Sequence, residues 1–220
     1  MTNTLNASSR SLTPPRAAAV AGIIFSALMI ASLGIVRVTL PDDPAKPGIW
    51  LTDSTGREAV RLALNLVPFA GIAFLWFIGV LRDRLGELED QFFSTVFLGG
   101  GLLFVGSLFA SAAAAGALLE IGPAANIQAA DNEVYPFVRY LSYTFLNVFA
   151  IKMAGVFMFS TCTIALRTAI FPWWVAFSGF ACGLVLLLII SNWAWIAMLF
   201  PLWILLVSAQ ILVTDRRQYR

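Results

Sequence analysis

One apolar run, Val134 to Leu166, is longer than a bilayer's hydrocarbon core is thick, and it carries a single basic residue near its middle, Lys152. At about 1.5 Å per helical residue the run reaches roughly 50 Å, against about 30 Å of hydrocarbon. In lipid the backbone must satisfy its own polar groups, so a run of this kind is a helix or part of a closed barrel. A cation inside it costs at least a few kcal/mol unless something compensates. Lys152 is therefore the residue whose surroundings most constrain the fold.

The rest of the chain has the same character. Hydrophobic residues make up 60% of it and charged residues 12%, where soluble domains average about 45–50% and about 25%. Six apolar runs occupy most of the length, which leaves too little polar sequence for a soluble domain. The reading is all-α: a polytopic transmembrane helix bundle of six transmembrane helices with both termini cytoplasmic. Residues 1–16 form a flexible cytoplasmic tail, 17–213 the membrane domain, and 214–220 a basic cytoplasmic tail. The expected helices cover about 17–36, 58–80, 92–121, 135–166, 172–190 and 193–213.

Local signals support these bounds. The run from Ala17 to Val36 exceeds the length of a signal-peptide core, so it is read as a retained anchor. Its Ala18, Gly22 and Ser26 recur every four residues, a stripe that lets another helix approach closely. Arg37 to Arg57 is a loop broken by Pro41, Pro44 and Pro47, with Trp50 placed for the headgroup region. Thr55-Gly56-Arg57-Glu58 has the spacing of a capping box and starts the second helix. Pro68 inside that helix should kink it and free a carbonyl that neighbours must satisfy. Glycines 99–101 and Gly106 lie in an apolar context with no Lys-Ser/Thr following, so they read as packing positions rather than a phosphate loop. Ser191-Asn192 supplies the turn between the last two helices. No sequence repeat relates helices 1–3 to helices 4–6.

Charge sets the expected orientation. With six crossings one side collects Arg10, Arg16, Arg82, Arg84, Arg167, Arg216, Arg217 and Arg220, and the other Arg37, Lys46, Arg57, Arg61 and Arg139. Eight against five favours cytoplasmic termini. Counting back from Arg167 then puts the outer boundary near Tyr143 or Thr144, and Lys152 roughly 12 Å below it. Arg61 falls near the same boundary and Asn65 about one turn deeper. Asn147 lies above Lys152 on its helix, and Glu58, Glu120 and Arg37 sit around the outer helix ends. Lys152, Asn65, Arg61, Asn147 and Glu120 are thus the candidate ligand-binding residues of an outward-opening, locally basic vestibule. The alternative is that Lys152 snorkels or bonds to an amide or carbonyl, with the Arg–Glu pairs closing the bundle.

Several chemistries lack their parts. The chain contains no histidine, which removes His-ligated haem, His-based metal sites and His acid–base catalysis. No carboxylate pair falls within the apolar spans for a proton relay or two-metal site. A Ser–Lys dyad or a Schiff base at Lys152 is conceivable, but membrane hydroxyls usually bond their own backbone, and no buried acid serves as counter-ion. Cys162 and Cys182 read as small buried hydrophobes. The net charge of +2 and the lack of a basic, aromatic-interleaved patch argue against nucleic acid. We expect no enzyme activity, no cofactor and no metal.

The stretches FLWFIGVLRDRLGELEDQFFSTVFLGGGLLFVGSLFA and NVFAIKMAGVFMFSTCTIALRT, which cover helices 2 to 4, resemble small bacterial multi-pass membrane proteins of unassigned function. That resemblance implies a bacterial plasma membrane and no particular activity. Two functions stay open: a small transporter or permeation unit for an anionic lipid or small polar solute, and a non-catalytic accessory subunit. The second would pack against a membrane-protein partner or a copy of itself.

Overall fold

The structure, a computed structural model, describes residues 15–40, 53–85, 91–121, 134–168, 172–188 and 195–218. The 1–14 tail, the Pro-rich loop with Trp50, the 122–133 loop and the Ser191-Asn192 turn lie outside the described residues. Within them every element is helical. Helices α1 (Pro15–Thr39), α2 (Ser54–Leu85) and α3 (Gln91–Ile121) come first. They are followed by α4 (Val134–Thr144), a π-helical segment (Phe145–Ala150) and α5 (Ile151–Thr168), which run on as one 35-residue rod. Then come α6 (Trp173–Leu188), a 3-10 turn (Ile196–Met198) and α7 (Leu199–Gln218).

Five of these helical stretches are long and apolar enough to cross a membrane. The sixth, α6, has 16 residues, about 24 Å of rise, and is shorter than the hydrocarbon core on its own. Helix 2 also starts differently from the sequence expectation. Asp53, not Thr55, is its cap: the Asp53 carboxylate accepts from the backbone N–H of Thr55 (3.2 Å) and of Gly56 (2.9 Å). Asparate-type caps satisfy two orphan donors at once where a threonine hydroxyl reaches one.

Neighbouring helices close a ring in the order α1, α2, α3, α5, α6, α7 and back to α1, with α4 and the π segment also against α3. Lipid is as apolar as the side chains, so this ring is held by packing and interhelical hydrogen bonds rather than by expulsion of water. The axis is filled by phenylalanine. Phe25, Phe74, Phe104, Phe157 and Phe200 come from five different helices and are all buried. Their ring centroids lie 4.7–6.2 Å apart in tilted and edge-on arrangements, the geometry aromatic quadrupoles favour.

Small residues let the helices come this close. The Ala18, Gly22 and Ser26 stripe is buried, and a Cβ at Gly22 would collide with Ser208 Oγ of α7 and come within 2.9 Å of the Phe77 ring. The α5–α6 contact is also close: a Cβ at Gly155 would sit 2.9 Å from Leu187 Cγ and 3.1 Å from the Gly183 carbonyl. In the glycine run of α3, Gly100 and Gly101 face Phe157 and Ile78, whereas Gly99 and Gly106 face open space. Pro68, inside α2, leaves the Leu64 carbonyl without its helical donor. One residue earlier, the Ala63 carbonyl accepts from Ser32 Oγ of α1 at 2.9 Å.

Candidate functional site

At the end of the bundle where α1 finishes and α4 begins, the packing opens into a cavity of about 60 Å³. Four helices and the π segment line it at helical spacing. From α1 come Met29, Leu33, Val36, Arg37 and Leu40, and from α3 come Leu108, Ser111, Ala112 and Ala115. The α4 side presents Arg139, Ser142 and Tyr143, and the π segment adds Leu146 and Asn147. On α2 the wall is Val60, Leu64 and Val67. Leu40, Val60, Leu118, Leu119 and Tyr135 pack into a small apolar cluster of their own at this end. Below, Met29 and Leu146 also border a second void of only about 10 Å³, walled by Phe104 and Phe200 of the aromatic cluster.

The polar groups of the wall are held by one another. Arg37 Nη2 donates to Asn147 Oδ1 at 3.2 Å, and Asn147 Nδ2 donates to the Tyr143 carbonyl at 3.1 Å. Arg139 donates to the Tyr135 side chain. Ser111 Oγ donates to the Ser142 carbonyl (2.8 Å) while Ser142 Oγ donates to the Ser111 carbonyl (3.0 Å), a reciprocal clasp between α3 and α4. The described lining contains two guanidinium groups and no carboxylate.

The five residues singled out from the sequence are dispersed by the fold. Asn147 lines the cavity. Arg61 instead lies on the surface at the same end, paired with Glu58 (3.1 Å) and Glu120 (3.6 Å). Asn65 is exposed on the outer face of α2, among Leu62, Phe69 and Ile72. Lys152 is not in the cavity either. Its Nζ donates to the Leu186 carbonyl at 3.1 Å and to the Leu187 carbonyl, the last turn of α6. Among the described residues no cavity joins Lys152 to Asn65, and Lys152 bonds to backbone carbonyls. Both carbonyls lie in the last described turn of α6 and give the ammonium the acceptors that an apolar setting otherwise denies it.

Arg139, counted from the sequence only as an outer-side charge, and Ser142, one of the hydroxyls expected to bond their own backbone, are both in the wall. The spacing held a clue. Arg139, Ser142–Tyr143 and Leu146–Asn147 recur at i, i+3/4 and i+7/8, one face of a helix, as do Met29, Leu33, Val36–Arg37 and Leu40. Other hydroxyls do bond their own helices as expected: Ser26, Thr161, Thr163 and Thr168 donate to the carbonyl four residues back. Ser32, Ser111 and Ser142 do not, and all three lie on the cavity wall. Cys162 and Cys182 are free thiols. Compared with known proteins, the chain matches no family, no curated protein sequence and no solved structure.

Proposed function

We propose that this protein is a small transport or permeation unit of the bacterial plasma membrane, with cytoplasmic termini and an outward-facing, locally basic cavity that receives an anionic solute. One observation carries the reading: a cavity at one end of an apolar bundle has Arg37 and Arg139 in its wall and no acid among its described lining residues. The aromatic cluster beneath gives such a unit a closed floor, so passage requires the rings to move apart. The test is flux. Purified protein in proteoliposomes should exchange a labelled small anion faster than empty vesicles, and Arg37→Gln with Arg139→Gln should abolish the difference. Equal flux in protein-containing and empty vesicles, for every anion tried, removes the transport reading.

A second reading, the accessory subunit, rests on Asn65. An amide on an apolar helix face flanked by exposed Leu62, Phe69, Ile72 and Trp76 is costly against lipid and gains from a hydrogen-bonding helix opposite. Native mass spectrometry from nanodiscs, comparing wild type with Asn65→Leu, would show an oligomer or partner lost in the variant. A monomer in both removes this reading.

A further inference from the structure

The outward face of α2 carries a demand that its own bundle does not meet. Leu62, Asn65, Phe69, Ile72, Trp76 and Gly79 are all exposed. They follow one another at alternating steps of three and four, the a and d positions of a heptad. The opposite face, with Ala63, Val67, Ala70, Phe74 and Phe77, is buried in the bundle. From Leu62 to Gly79 the stripe rises about 26 Å, against about 30 Å of hydrocarbon in a bilayer. Its apolar members are satisfied by lipid, and Asn65 is not. The amide lies within a span apolar enough to cross a membrane, and among the described residues it has no hydrogen-bond partner. Exposed Pro68, one turn on, also denies the Leu64 carbonyl its helical donor. Lipid tails supply neither donor nor acceptor.

Resting on the reading of Asn65 as an amide that seeks a helix opposite, we propose that this helix is α2 of a second copy of the chain. The two copies dock α2 against α2 about a two-fold axis along the membrane normal, with Asn65 paired to its own counterpart. Symmetry supplies the match. Copies inserted the same way place every residue of one stripe at the depth of its counterpart. A carboxamide carries two donors and an acceptor, so it is complementary to itself. A different partner would have to bring an amide to that depth independently. The six residues of the stripe are uncharged, so no like charges meet across the axis. Heptad spacing suits the crossing of about 20° common among membrane helices, and a single seam asparagine fixes the register. Gly79 leaves room at the far end: a Cβ there would meet nothing within 4 Å among the described residues.

The test is the dimer fraction of the full-length, fluorescently tagged protein in vesicles, read by single-molecule photobleaching as the protein-to-lipid ratio falls. Wild type should pass from dimer to monomer on dilution. Asn65→Leu, which keeps the stripe apolar, should raise the dissociation constant about tenfold, and Asn65→Gln should recover most of that loss. Gly79→Leu should wedge the stripes apart and cost at least as much, and its side chain enters open space, so the fold of each copy is kept. Gly106→Leu on α3, where a Cβ likewise meets nothing within 4 Å, is the control and should leave the dimer as it is. Monomer at every ratio, or a dimer that either Asn65→Leu or Gly79→Leu leaves unchanged, overturns the inference. Its failure is distinguishable from that of the accessory reading. A pure wild-type monomer that retains a different protein from native membranes, lost in Asn65→Leu, removes the homodimer and keeps the accessory subunit.

Discussion

Lys152 and Arg139 are cations on one continuous helical rod, and the bundle uses them in opposite ways. Lys152 stands in the middle of the apolar run, where a charge is most conspicuous in the sequence, and its ammonium closes the end of a short helix. Arg139 stands near the start of the rod, where a basic residue looks ordinary, and it lines the cavity. Between them lies the π segment, whose i→i+5 pattern takes up an extra residue and resets the register. That reset lets Ser142 meet Ser111 on one side while Lys152 meets α6 on another. The lesson is that a charge deep in an apolar run is first of all a demand for a partner, and a helix end within reach answers it. Function is better sought where polar side chains share a face with space in front of it.

The contrast breaks most readily at Lys152. Lys152→Met should destabilise the protein by about 1–3 kcal/mol, since two α6 carbonyls lose their donor in an apolar setting. Measured interhelical bonds in membranes average nearer about 0.6 kcal/mol, so the lower half of that range is expected. The measurement is denaturant or thermal unfolding followed by tryptophan fluorescence, with anion titration on the same variant. Affinity should stay within about twofold of wild type. A variant that keeps full stability but loses the ligand would reverse the roles assigned to the two cations. Arg139→Gln is the mirror experiment: at least a tenfold loss of anion affinity, about 1.4 kcal/mol, with unfolding changed by less than about 1 kcal/mol. Loss of stability without loss of affinity would make Arg139 a partner of Tyr135 and nothing more.

The all-helical architecture and the long apolar spans were legible in the sequence because lipid leaves the backbone few options. So was the small-residue stripe of α1, since Ala18, Gly22 and Ser26 share a face under simple helical periodicity. The site was less legible, and the reason is geometric. Depth along a span follows from counting residues, but azimuth does not survive the π segment or the angles at which the rods cross. Asn147, expected only to lie above Lys152 on its helix, meets Arg37 near the end of α1, whereas Asn65 faces outwards. The cap of α2 was missed by two residues because Asp53 lies outside the Thr55–Glu58 spacing that suggested a start.

Smaller effects sharpen the boundary of the site. Ser142→Ala removes one hydrogen bond of the α3–α4 clasp outright and leaves Ser111 Oγ bonded to the Ser142 carbonyl. A loss of about 0.6–1 kcal/mol is expected, measured by the same unfolding transition. Anion affinity should fall modestly, because the clasp fixes the wall rather than touching the anion. An affinity loss as large as that of Arg139→Gln would place the Ser142 hydroxyl in direct contact with the ligand.

The smallest expected effect belongs to Arg61, which the sequence placed at the vestibule and the fold places on the surface. Its partners are a Glu58 side chain 69% exposed and a Glu120 side chain 76% exposed, and Arg61 itself is 48% exposed. Ion pairs this open to water are screened, and the entropy of holding long side chains offsets most of their attraction. Arg61→Gln should therefore shift unfolding by less than about 0.5 kcal/mol and vanish as an effect in high salt. Its consequence for binding is the sharper measure. If the anion is held by the cavity wall and not by the surface pair, anion affinity in Arg61→Gln stays within about twofold of wild type at low ionic strength. A tenfold drop would mean that the ligand meets Arg61 on its way in or at rest, and the site would then extend from the cavity to the helix ends.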